Sequence, residues 1–88
     1  MMLSTEQKSA LLVPFVGVIK DNRLKRGISQ ARLALAADLS SKYVTLLESA
    51  KRVPSIECVI ALAAKAGVPR TTIENLLEEV LDHFEWEG

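Results

Sequence analysis

Between Ser29 and Glu48 the chain begins a helical pattern, breaks it at Asp38-Leu39 and restarts it at Ser40. Ser29 and Ser40 each stand one residue ahead of a helix-forming run, where a side-chain oxygen can accept a backbone N–H from the first turn. The first run continues to about Ala37 with an inward stripe of Leu33, Ala34 and Ala37, and the second to about Ser49 with Val44 and Leu47 on one face. Close approach of two helices needs a small residue on the first, which Ala34 supplies. Leu39 fills the space after the turn, and Val44 and Leu47 anchor the second helix to a core. This pairing constrains the fold more than any other feature of the chain.

Three further helical segments surround it. One is expected from near Pro14 to Arg26, with Pro14 in its first turn and Gly27 as its left-handed stop. Ser4 and Gln7 have capping-box spacing, so Ser4 to Leu12 reads as a short preceding helix. Ser55 caps a run from Ile56 to Ala66, with Ile56, Val59, Ile60 and Ala63 as its stripe and Gly67 at its end. The last begins near Thr71, in capping-box spacing with Glu74, and carries the cleanest stripe: Ile73, Leu76, Leu77, Val80, Leu81 and Phe84. No strand pattern or internal repeat competes.

The 88 residues suit one domain, and their makeup, 49% apolar, 25% charged and 5% aromatic, is that of a helical globular protein. A single cysteine, Cys58, excludes an internal disulfide framework and a multi-cysteine zinc site. In its apolar helical setting it reads as a small hydrophobe, with a reactive thiol as the alternative. His83 has no second ligand near it in sequence, and Trp86 reads as a packing or tail residue, so neither a metal nor a cofactor is expected. The run Leu11 to Ile19 is too short to span a bilayer and is interrupted by Pro14 and Gly17. No small-residue cleavage site follows Lys8 and that run, so the chain is expected in the cytoplasm. No cluster of nucleophile, base and orienting group appears, nor a phosphate-cradling glycine loop, so no enzyme is expected.

The formal net charge is zero, yet it is unevenly spread. Residues 1–54 carry nine Lys/Arg against four Asp/Glu, a net of +5, and residues 55–88 carry two against seven, a net of −5. A basic half of this kind can meet phosphate while the acidic half faces solvent or a protein partner.

Two short helices, a tight turn, small polar residues opening the second helix and the basic loop Ala50-Lys51-Arg52-Val53-Pro54 together suggest a helix-turn-helix. Ser41, Lys42, Thr45 and Tyr43 are left on the outer side of the second helix, within reach of base edges in a major groove. The stretch Asn22 to Gln30, then Leu33-Ala34, Val44 to Glu48 and Lys51 to Ser55 resembles the Xre/Cro/lambda-repressor-type helix-turn-helix family, over roughly Ile19 to Leu77. The resemblance implies an all-α, five-helix lambda-repressor-like DNA-binding domain with a short N-terminal extension. It implies that Ser41, Lys42 and Thr45 face bases, with Tyr43 near the backbone. Lys51 and Arg52 would hold phosphates, and Gln30 would bond a phosphate or brace the first residues of the recognition helix. Arg23 and Glu48 resemble the family's internal ion pair, which specifies geometry more than it stabilises.

Four positions depart from the family's pattern. Asp38 and Ala50 stand where glycine is frequent, the first in a turn that often needs a positive φ, which Asp tolerates better than most residues. Arg32 replaces a frequent Glu; it forgoes a helix-terminus interaction and places a cation near the DNA backbone. Leu46 occupies an outward position where relatives often carry a polar base-reading side chain; its readings are contact with a thymine methyl, packing on another element, or the mark of a weak DNA reader.

The division expected is an extension over 1–13, a helix-turn-helix domain over 14–78 with its motif at 29–48, and a continuation of the last helix over 79–88. Part of the last stripe, Ile73 to Leu77, closes the core. Val80, Leu81 and Phe84 exceed that need and are expected in a symmetric dimer interface, joined by Leu11, Leu12 and Phe15. The function expected is a transcriptional regulator that binds a palindromic operator in double-stranded DNA as a homodimer. The alternative is a protein-interaction or antitoxin-like module whose acidic helix from Glu74 to Glu87 binds a partner, with DNA binding secondary.

Overall fold

The computed structural model describes residues 4–82. Five helices make up their regular structure: α1 (Thr5–Lys25), α2 (Gln30–Ala36), α3 (Ser41–Glu48), α4 (Ile56–Lys65) and α5 (Arg70–Asp82). Among the described residues the architecture is all-helical, as expected.

Four of the five helices open in one way. Ser4, Ser29, Ser40 and Ser55 adopt extended backbone geometry, and each side-chain oxygen accepts the N–H three residues on, from Gln7, Arg32, Tyr43 and Cys58, all at 3.1 Å. At Ser4 the box is reciprocal, because Gln7 Oε1 accepts the Ser4 N–H at 2.8 Å. Each such cap contributes about 1 kcal/mol.

The same four helices also share one kind of ending. The residue after each C-cap turns left-handed, and the next N–H reaches back five residues: Ile28 to Arg23 O at 3.0 Å, Leu39 to Ala34 O at 2.8 Å, Lys51 to Leu46 O at 2.9 Å and Val68 to Ala63 O at 2.9 Å. Glycine fills the left-handed position twice, at Gly27 and Gly67, while Asp38 and Ala50 hold φ of 58° and 60°. These sharp stops keep α2 and α3 short and set the angle between them.

The core is built from Phe15 and Ile19 of α1, Leu33 and Ala34 of α2, Val44 and Leu47 of α3, and Val59, Leu62, Ala63 and Ala66 around α4, with Val68 beyond it. Ile28, Ala37, Leu39, Ile73, Leu76 and Val80 pack against it from the edges. The Asn22 side chain donates to the carbonyl of Ala66, tying α1 to the end of α4.

Four expectations need correction. The first helix does not begin at Pro14; it runs unbroken from Thr5 with Pro14 inside it. Pro14 and Ala10 are both exposed, so the carbonyl that loses its helical partner faces water, and burial of Phe15 and Ile19 holds the segment together. Phe15 is accordingly 2% exposed in the chain's own core, and Leu12 packs on that core, so Phe15 is not a dimer residue. On α4 the inward stripe is Val59, Leu62, Ala63 and Ala66, while Ile56 and Ile60 are exposed. The last helix opens at Arg70, with the Pro69 carbonyl accepting from Thr72 and Ile73, and Glu74 pairs with Arg70 Nε at 2.6 Å instead of capping Thr71.

Candidate nucleic-acid interface

The site is α3 together with what holds it. Val44 and Leu47 are 1% and 3% exposed and fix its inner face to the core. Ser41, Lys42 and Thr45 are exposed on the opposite side, so the three residues expected to face bases share one solvent-facing surface. Leu46, expected outward, is half-buried.

Beneath this surface lies a buried ion pair. Arg23 of α1 grips the Glu48 carboxylate with two N–H groups, Nε to Oε2 and Nη2 to Oε1, both at 2.8 Å. The two side chains are 8% and 5% exposed. Arg23 Nη1 also donates to the Ile28 carbonyl at 2.8 Å. One guanidinium thus joins α1, the α1–α2 turn and the end of α3, with the bidentate geometry that only arginine offers. Burial pushes the Glu48 carboxyl up, but hydrogen bonds from Arg23 and Gln30 and the charges of Arg23 and Lys20 outweigh it. The group is held below its ordinary value.

Gln30, in the first turn of α2, continues the network. Its Nε2 donates to Glu48 Oε1 at 3.0 Å, and its Oε1 accepts from the Thr45 hydroxyl at 2.7 Å. The brace therefore reaches the middle and end of α3 and not its first residues. That same hydroxyl lies 3.0 Å from the Ser41 carbonyl.

Tyr43 is half-buried on the flank of α3, and its hydroxyl lies 3.9 Å from Cys58 Sγ on α4. Burial, the contact with Cys58 and its partial charge raise the phenol above its ordinary value despite Arg52 nearby, so it remains a neutral donor. Cys58 is half-buried, in keeping with a packing role. Sequence reasoning found both residues but not their contact, because nothing in the spacing of 43 and 58 marks it.

Four exposed cations belong to α2, α3 and the loop that follows. Arg32 on α2, Lys42 on α3 and Lys51 and Arg52 in the following loop are all exposed. Among the described residues none of the four has an ion-pair partner, the two salt bridges being Arg23–Glu48 and Arg70–Glu74. The carboxylates Glu74, Glu78, Glu79 and Asp82 are exposed on α5, outside the paired α2 and α3. Of the residues expected in a dimer contact, Val80 packs partly on the core, Leu81 is half-buried, and Phe84 lies outside the described residues. Among the described residues no group of three or more His, Cys, Asp or Glu side chains is placed to hold a metal ion, and no helix is long and apolar enough to cross a membrane.

Residues 19–73, more than half of the chain, match the family model described as helix-turn-helix (HTH_3). No curated protein and no solved structure matched the chain. The matched span opens at Ile19 in the core half of α1 and closes at Ile73 in the first turn of α5, so it encloses α2, α3 and every cation described above.

Proposed function

The chain belongs to the Xre and lambda-repressor type of helix-turn-helix family, a family of DNA-binding regulators, and from that premise we propose that it recognises a palindromic operator as a homodimer. In this reading α3 lies in the major groove, with Ser41, Lys42 and Thr45 toward base edges. Arg32, Tyr43, Lys51 and Arg52 hold phosphates on either side, and Gln30 keeps one amide N–H for a phosphate beyond its internal bonds. The chain performs no chemistry; it acts in the cytoplasm by occluding or assisting polymerase.

The observation that carries this reading is the two-sidedness of α3. Val44 and Leu47 are held by the core and Glu48 by the ion pair, its polar residues stand exposed, and unpaired cations are carried on α2, α3 and the following loop. A helix merely solvated on one side has no need of that bracing. The dimer is assigned to the end of α5, where Leu77 is 44% exposed beside half-buried Val80 and Leu81. Phe84 continues the same stripe in sequence.

The contacts make the reading testable on any duplex. If Arg32, Lys51 and Arg52 of each protomer hold one phosphate, a dimer neutralises about six, and the logarithm of affinity falls against the logarithm of salt with a slope near −5. Affinity that stays flat with salt rejects the contact set.

The exposed carboxylates of α5 support a second reading, in which that helix docks on a basic protein partner and DNA binding is secondary. Retention of the partner on the chain after charge reversal at Glu78 and Glu79 would exclude it.

A further inference from the structure

The hydrogen bonds that link Arg23, Gln30 and Thr45 all point toward the Glu48 carboxylate, and that sense decides what Thr45 can offer to a base. An ionised carboxylate only accepts, and Glu48 is held ionised by Arg23. It therefore takes an N–H of Gln30, which turns the amide nitrogen toward Glu48 and the amide oxygen toward Thr45. The reversed amide would set Gln30 Oε1 against Glu48 Oε1, two acceptors with no proton between them.

With Oε1 facing it at 2.7 Å, the Thr45 hydroxyl must donate. The Ser41 carbonyl, 3.0 Å from the same hydroxyl, is a second acceptor for the same proton. Two acceptor oxygens thus compete for the single hydroxyl hydrogen of an exposed residue of α3. A threonine hydroxyl in general serves as donor or acceptor, and so matches either kind of base edge. This one has no proton left, and its free lone pair is what it presents outward.

We propose that Thr45 is a specificity-determining acceptor: it takes a hydrogen bond from an exocyclic amino group, adenine N6 or cytosine N4, and rejects the keto oxygen of guanine or thymine at that point. Gln30 and Glu48 are the positioning residues that impose this sense. The inference rests on the placement of α3 in the major groove, and it adds the polarity of one contact.

The test uses the full chain and the duplex it selects from a random pool. Single base functions are then deleted in turn: purine for adenine and pyrimidin-2-one for cytosine remove the amino group, 2-aminopurine for guanine removes O6, and uracil for thymine removes the methyl. One position per half-site is expected at which loss of the amino group weakens binding roughly three- to tenfold, the size of one hydrogen bond. Thr45→Val should lose that sensitivity, Thr45→Ser should keep it, and both should retain the helical circular dichroism of the parent. Gln30→Leu leaves the Thr45 proton only its intrahelical acceptor, the Ser41 carbonyl, which a keto oxygen can displace, so discrimination against a keto group at the same position should shrink. Sensitivity at the Thr45-dependent position to O6 or to the thymine methyl overturns the assignment. So does an amino-group effect that persists in Thr45→Val. Failure to select any sequence is a different result: it removes α3 from the major groove, and the inference with it.

Discussion

Arg23 holds Glu48 through two parallel N–H···O contacts of 2.8 Å in a site where both side chains are more than nine-tenths buried. The pair closes the domain behind α3, so the segment that faces DNA is positioned by a contact that DNA never touches. A buried ion pair adds little net stability, because desolvation offsets its attraction; its loss is costly when only one partner goes. Glu48→Ala is therefore expected to destabilise the fold by about 3–5 kcal/mol in chemical denaturation, while Arg23→Met combined with Glu48→Leu loses far less. Equal losses in the single and double variants would mean that packing, and not the uncompensated charge, sets the cost.

The same carboxylate predicts the acid limb of the stability curve. Its folded value lies below the ordinary one of 4.5, so the folded state binds fewer protons there and stability is fully present above that pH. As pH falls toward and through the folded value, protonation breaks the pair and the contribution is lost. Denaturation curves between neutral pH and about pH 3 should show this decline in the parent. Glu48→Gln, already without the charge, should be less stable at neutral pH and show a shallower decline. Parallel curves for the two proteins would exclude Glu48 as the group responsible.

Ala50 holds a φ of 60°, in the region that costs a residue with a Cβ about 1–2 kcal/mol. Glycine removes that strain but leaves the unfolded chain freer, by about 0.4–1 kcal/mol. Ala50→Gly is expected to raise stability by about 0.5–1 kcal/mol, a gain of a few degrees in melting temperature. A fall in melting temperature would show that the Ala50 methyl makes a contact worth more than the strain.

Lys51 and Arg52 are assigned to phosphates and so carry no sequence information. Alanine at either should weaken binding by a similar factor on operator and on unrelated duplex, and reduce the salt slope by about 1 per protomer. Loss confined to the operator would move the residue to the base-reading set.

Much of this was legible in the sequence because it depends on local chemistry. Serine caps and the break at Asp38-Leu39 are short-range signals, and each stands where the pattern puts it, whereas the glycine-like positions at Asp38 and Ala50 were marked by the family resemblance. The Arg23–Glu48 pair followed from the family resemblance. The inward face of α4 was not legible, since a nearly all-apolar helix satisfies the same period at Ile56-Val59-Ile60-Ala63 and, three residues on, at Val59-Leu62-Ala63-Ala66. Pro14 read as a helix start because local rules forbid it inside; core burial of its neighbours overrides them. The sense of the Gln30–Thr45 bond was beyond reach, because it is set by a carboxylate three residues further along α3 and an arginine on another helix.

Selection of bound duplexes from a random DNA pool tests the central claim most directly. A homodimer placing two copies of α3 in successive major grooves predicts an enriched, inverted pair of half-sites with centres about 10 base pairs apart. Recovery of a pool no different from the input would contradict the account.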